Sequence, residues 1–290
     1  MYVVATMHKR WTMLAAVCVS LAASGAEAQP ALAPTADAAV ETLDDAGWRA
    51  RYDALLRASV RGEGVDYAAL RARRAELVAL HEWLAAHGPT ATSAAYTSRD
   101  ARLAYWINAY NLTVLRGVVE APASMRNVME AAPDSGFFRA ARWRVDGRTL
   151  SLDAIEHVHV RPVFRDPRVH VALNCAARSC PPLRGRAYEP AGLGAQLDGQ
   201  ARRWLASGRA ARVDEAAGRV TLSQLFAWFA EDFSGVIPGR PAGPVTGPLR
   251  FVHAYADTAL RQRLDAVCGP AWTACTLDHT PYDWALNDTR

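Results

Sequence analysis

Apolar residues first recur with helical spacing at Trp48, Tyr52, Leu55 and Leu56, directly after Asp44, a residue type suited to cap a helix N-terminus. Glycines break that pattern at Arg61-Gly62-Glu63-Gly64. Leu70, Leu77, Leu80 and Leu84 predict a second amphipathic helix, closed by Gly88-Pro89. Ser98-Arg99-Asp100 starts a third helix, which carries Ala104, Tyr105, Ile107, Leu112, Leu115 and Val118 up to Ala121-Pro122. Its apolar residues run almost all the way round, so it is expected to be buried.

Beyond it the elements shorten. Arg142 to Val145 and Thr149 to Leu152 flank Asp146-Gly147 and predict a hairpin. Asp153 to Val160 fits either helix or strand. Arg168 to Leu173 alternates and is rich in β-branched residues, which predicts a strand. Residues 192–206 read as helix. Val213 and Val220 to Leu222 flank a turn over Asp214 to Gly218, a second hairpin. Ser223 can cap a helix over Gln224 to Phe233, Leu249 to Tyr255 reads as strand, and Thr258 to Val267 as helix. With no internal repeat and no second boundary, residues 44–290 are expected to form a single α+β domain, mainly helical with a small antiparallel sheet.

The N-terminus has a different pattern. Lys9 and Arg10 precede an apolar stretch from Thr12 to Ala23, and Ala26-Glu27-Ala28 is an A-x-A cleavage signal. Residues 1–28 therefore read as a secretory signal peptide and 29–43 as a flexible Ala/Pro-rich linker. The stretch is too short to span a bilayer, which takes about 20 apolar residues. Cys18 follows Val17, where a lipoprotein signal needs a small residue. The expected location is periplasmic or extracellular, with no integral span after cleavage.

Of 290 residues, 51% are hydrophobic and 21% charged, ordinary values for a globular protein. Removing Lys9, Arg10 and Glu27 with the leader reduces 33 basic and 29 acidic side chains to 31 and 28. So balanced a charge, with no basic cluster among aromatics, argues against nucleic acid as a partner. Without Cys18, the cysteines are Cys175, Cys180, Cys268 and Cys275. An even number in an exported chain favours disulfides. Their spacing suggests the local pairs Cys175–Cys180 and Cys268–Cys275, out of three possible connectivities.

Four segments stand out for chemistry: Ala104-Tyr105-Trp106-Ile107-Asn108-Ala109-Tyr110-Asn111; Leu152-Asp153-Ala154-Ile155-Glu156-His157, followed by Arg161; Asp166 to Arg184; and Tyr282-Asp283-Trp284-Ala285-Leu286-Asn287. In that order, from about Tyr52 to Asn287, they resemble DUF547, a domain of unknown function found in bacterial exported proteins and in plant proteins beside other modules. The resemblance implies a fold unit and a set of suspect positions, without a reaction.

The richest stretch is His170 to Cys180. Cys175 or Cys180 could act as a nucleophile with His170 or His157 as base, Asn108 as an orienting amide, and Asp283 or Glu156 aligning the imidazole. Arg178 and Arg184 could lower a thiol pKa or, with Asn174, bind substrate. The plainer alternative is a Cys175–Cys180 disulfide closing a short loop. Asn108 and Asn111 share a face of a buried helix, where the plain reading is a structural hydrogen-bond network. His157 and His159 would share one face of a strand, but no further ligand has metal-site spacing. The pattern at Asp283 to Asn287 suggests that the C-terminus packs back onto the domain.

Three functions follow as expectations. The first is a thiol-dependent hydrolase or transferase acting on amide or ester bonds of a small or peptide-like ligand, with no cofactor. A long buried helix ahead of histidine-bearing strands resembles papain- and transglutaminase-like layouts, although Asn108 stands where those enzymes place cysteine. The second is a non-catalytic binding or scaffold domain with both cysteine pairs oxidised. The third is a thiol–disulfide accessory protein, weakened by a C-x4-C spacing in place of C-x-x-C.

Overall fold

A computed structural model describes Val40 and residues 42–131 and 136–289. The leader, Cys18 and most of the expected linker lie outside the described residues. The rest is α+β and mainly helical, as its apolar spacing predicts.

Helix α1 (Asp45–Ser59) starts where Asp44 accepts a hydrogen bond from the Gly47 amide. It leads through a two-residue ladder, β1 (Val60–Arg61) and β2 (Gly64–Val65), into α2 (Tyr67–Ala72) and α3 (Arg74–Ala86). The second predicted helix is thus two, parted at Arg73. Helix α4 (Arg99–Glu120) is the central rod. Ser98 caps it by accepting from the Ala101 amide at 3.0 Å, and it stops at Ala121, the residue before Pro122, where helical backbone is disfavoured. Seventeen of its 22 residues are buried, as its all-round apolar surface requires.

A short helix α5 (Gly136–Arg139) precedes the hairpin of β3 (Trp143–Val145) and β4 (Arg148–Leu150). The chain then winds through α6 (Leu152–Ala154), a π-helical turn (Ile155–Val160) and α7 (Arg161–Phe164). Helices α8 (Val169–Ala172) and α9 (Leu193–Ala206) follow. β5 (Ala211–Asp214), β6 (Arg219–Ser223) and β7 (Thr276–Thr280) form a three-stranded sheet. Before β7 come α10 (Leu225–Trp228), α11 (Ala230–Ser234), α12 (Leu249–Tyr255) and α13 (Thr258–Cys268).

Four expectations are corrected. The stretch 168–173 is a helical turn, not a strand. Every residue from Val169 to Leu173 is buried, so alternation there does not separate two faces. Residues 249–255 are helical for a related reason: Leu249, Val252 and Tyr255 share a buried stripe three residues apart. His157 and His159 sit on the π-helical turn, so the histidine-bearing strands behind the papain-like comparison are absent from the described residues. The largest sheet is mixed, because β7, which the pattern did not predict, runs parallel to β6.

The side chains form two apolar clusters. One surrounds α4 and includes Trp48, Tyr67, Leu112 and Phe137. The other is built on α9, β6 and α12 around Trp204, Phe226 and Phe251. Tyr282 packs against both. Among the described residues, no helix is long and apolar enough to cross a membrane.

Candidate functional site

A cavity of about 300 Å³ opens where the two clusters meet. The first cluster's side supplies Tyr110, Phe138 and Leu173, the second Leu225 and Phe229, and the C-terminal segment Tyr282 and Trp284, on which Trp228 packs. Asp153, Glu156, His157, His170, Cys175 and Cys180 bring the chemistry to this mostly apolar lining. Such a cavity, with a few convergent polar groups, is the usual form of a small-molecule site.

The cysteine loop is held by amides. Asn111 on α4 donates through Nδ2 to Ala172 O at 2.9 Å and accepts from the Asn174 amide at 2.8 Å. Asn174 spans the loop, donating to Pro181 O and accepting from Ala176 N. The C-terminus closes the other side: Arg178 N donates to Ala285 O and Asn287 N to Ala176 O. Asn287 is itself anchored by the Tyr67 hydroxyl at 2.8 Å. The patterned terminus therefore packs back onto the loop, as expected, and in doing so places Tyr282 over the sulfurs. Ala176, next to Cys175, has φ +65°, a left-handed turn that disfavours side chains.

Cys175 and Cys180 are disulfide-bonded, with Cα atoms 6.2 Å apart, and so are Cys268 and Cys275, at 4.3 Å. Cys175 is half-buried, Cys180 fully buried. The Tyr282 hydroxyl donates to Cys175 Sγ at 3.1 Å and lies 3.4 Å from Cys180 Sγ. The Cys175 amide donates to Cys180 Sγ at 2.9 Å.

His170, on α8, is oriented by a residue that sequence reasoning missed. Its Nε2 lies 2.7 Å from Asp232 Oδ2, and the Arg161 Nε donates to the same oxygen at 2.6 Å. The hydrogen bond from His170, joined by Arg161, holds the Asp232 carboxyl well below the usual carboxylate range. An ionised carboxylate can only accept, so His170 Nε2 carries the proton and Nδ1 is the basic nitrogen of the neutral ring. Burial pushes the imidazole below its ordinary value, against the opposing pull of Asp232, and Phe229 stacks on the ring at 4.1 Å. Asp232 is 62 positions from His170, on a short helix with no motif of its own; no local signal could have found it.

Glu156 and His157 come from the π-helical turn, where Arg161 N–H donates five residues back to Glu156 O. Turns of this kind frequently occur at functional sites. Burial pushes the Glu156 carboxyl up to about 7, and Tyr110 donates a hydrogen bond to it. His157 accepts from Arg161 at 3.0 Å through Nδ1, and burial, then Arg161, lowers its pKa.

The remaining expected site residues stand elsewhere. Asn108 is consumed by the Tyr188 backbone, donating to its carbonyl and accepting from its amide, both at 2.8 Å. Asn174 is buried, with its amide spent on the loop. Arg178 is exposed away from the cavity, and Arg184 folds back onto Arg186 O and the Tyr188 ring. Asp283 is exposed and accepts from the Ala285 amide, far in role from a partner for imidazole. His159 stacks on Trp106 at 4.6 Å. Among the described residues, no group of three or more His, Cys, Asp or Glu is placed to hold a metal ion.

Residues 94–205 match the family described as "Protein of unknown function, DUF547". The match covers three of the four resembling segments and stops short of the C-terminal one. No curated protein and no solved structure matches the chain.

Proposed function

We propose that the protein is a thiol-dependent hydrolase or acyltransferase for small amide or ester substrates, with Cys175 the nucleophile once its disulfide is reduced. The observation that carries this reading is the His170–Asp232 couple in the wall that also holds Cys175. A nucleophile beside an imidazole that is itself aligned by a third group is the recurring arrangement of acyl transfer. His170 Nδ1 takes the thiol proton, Asp232 supports the resulting imidazolium, and the aromatic wall receives the acyl group. Asp232 takes the aligning role that Asp283 and Glu156 were expected to fill. The leader pattern and the two cysteine pairs support work outside the cytoplasm.

The test is acylation of the reduced, full-length protein by p-nitrophenyl acetate, read by intact and peptide mass spectrometry. The expected product is a thioester on Cys175, formed about 100-fold more slowly in His170→Ala, the usual size of a lost general base. Acetylation elsewhere, or at an unchanged rate without His170, overturns the proposal.

A further inference from the structure

The cavity wall contains a cystine whose two sulfurs are unequal. Cys175 is half-buried and lines the cavity. Cys180 is only 4% exposed, yet its sulfur faces two donors, the Cys175 amide at 2.9 Å and the Tyr282 hydroxyl at 3.4 Å, whereas Cys175 Sγ has the Tyr282 hydroxyl alone, at 3.1 Å. In thiol–disulfide exchange one sulfur is attacked and the other departs as a thiolate, and a leaving thiol of lower pKa departs faster. Hydrogen-bond donors aimed at the place where charge develops act on that departure.

We infer that small thiols open the Cys175–Cys180 bond by attack on Cys175, with Cys180 as the leaving sulfur and Tyr282 as the catalytic residue that stabilises its thiolate. This activity goes beyond acyl transfer and does not require it. An incoming thiolate, its proton left with solvent, bonds to Cys175 Sγ. The Cys175–Cys180 bond breaks, and the electron pair goes to Cys180 Sγ, which the amide and hydroxyl stabilise before it takes a proton from water. A second thiolate attacks the thiol-derived sulfur of the mixed disulfide and releases the Cys175 thiolate. Two thiols are oxidised to one small disulfide, and the cystine is reduced by two electrons. The substrate class is a monothiol of small-molecule size, since both cysteines line a cavity of about 300 Å³. Burial raises the Tyr282 phenol above its ordinary value, so its hydroxyl stays a donor throughout the neutral range.

The experiment incubates the oxidised full-length protein with reduced glutathione, traps free thiols by rapid alkylation and maps them by mass spectrometry. Cys175–Cys180 is expected to open while Cys268–Cys275 stays closed. Tyr282→Phe, which keeps the ring that packs on Trp228 and Trp284 and removes only the hydroxyl, is expected to slow opening about tenfold. In Cys180→Ser, oxidised glutathione is expected to form its mixed disulfide on Cys175. Equal opening of both bridges, a wild-type rate in Tyr282→Phe, or glutathione on Cys180 in the wild-type intermediate overturns the inference. The acylation test uses protein already reduced, so its outcome is independent of this one.

Discussion

Two cystines of nearly the same span lie in different surroundings. Cys175–Cys180 closes a five-residue separation in a cavity wall, under a tyrosine hydroxyl and in company with two histidines and two carboxyls. Cys268–Cys275 closes a seven-residue separation after α13, where Trp272 Nε1 bonds back to Asp265 and Ala274 N to Cys268 O. Among the described residues, no imidazole or hydroxyl is hydrogen-bonded to the second pair's sulfurs. A short bridge by itself says little about chemistry; the groups around it decide whether its sulfurs have anything to react with. The second loop staples a turn, whereas the first holds its sulfurs at the junction of two apolar clusters.

The comparison breaks first at the nucleophile. Cys175→Ser in otherwise reduced protein should abolish p-nitrophenyl acetate acylation, a loss of about 1,000-fold or more, while the double change Cys268→Ala, Cys275→Ala leaves it intact. Stopped-flow release of p-nitrophenol measures both. Acylation lost with the second pair would erase the distinction drawn between the loops.

Next in size is a pH effect peculiar to the first region. The Glu156 carboxyl is raised from 4.5 to about 7 by burial, so the folded state holds its proton more tightly than the unfolded chain. Stability from this group is present below about pH 4.5 and is lost as pH rises through 7. Glu156→Gln should therefore gain on the order of 2–3 kcal/mol over wild type above pH 7 and nothing near pH 4, measured by urea denaturation across pH. A difference independent of pH would place the carboxyl in solvent.

The second bridge should matter to stability alone. Removing Cys268 and Cys275 is expected to cost about 2–3 kcal/mol, the loop-entropy value for so short a ring, read as a lower melting temperature with an unchanged rate of glutathione reaction at Cys175–Cys180.

The smallest effect concerns Ala176. At φ +65° a side chain is strained, so Ala176→Gly should raise stability by about 1 kcal/mol, a gain visible in chemical denaturation. A loss instead would mean that the packing of the buried Ala176 methyl outweighs the relief of strain.

Long elements were legible because length and capping specify them. Helix α4 begins at Ser98 and ends before Pro122 as its spacing and end signals require, and both hairpins form around their expected turns. Short buried elements were not. Residues 168–173 and 249–255 lie inside clusters where either helix or strand would bury the same side chains, and the choice follows from neighbouring elements. The cavity shows the same division. Cys175, Cys180, His157 and His170 were visible as residue types capable of chemistry, and all four line it. Asn108, Arg184 and Asp283 looked equally suitable, yet each bonds backbone and none lines the cavity.

By itself the sequence determined the class of fold and the central helix, and it suggested the local pairing of the cysteines and the loop on which thiol chemistry would have to occur. Each of these depends on residues close together along the chain. Only the tertiary structure decided that Asp232 fixes the tautomer of His170 and that a returning C-terminus lays Tyr282 over both sulfurs. Those contacts join residues about 60 to 107 positions apart, and they form because the apolar clusters must pack before the polar groups between them can meet.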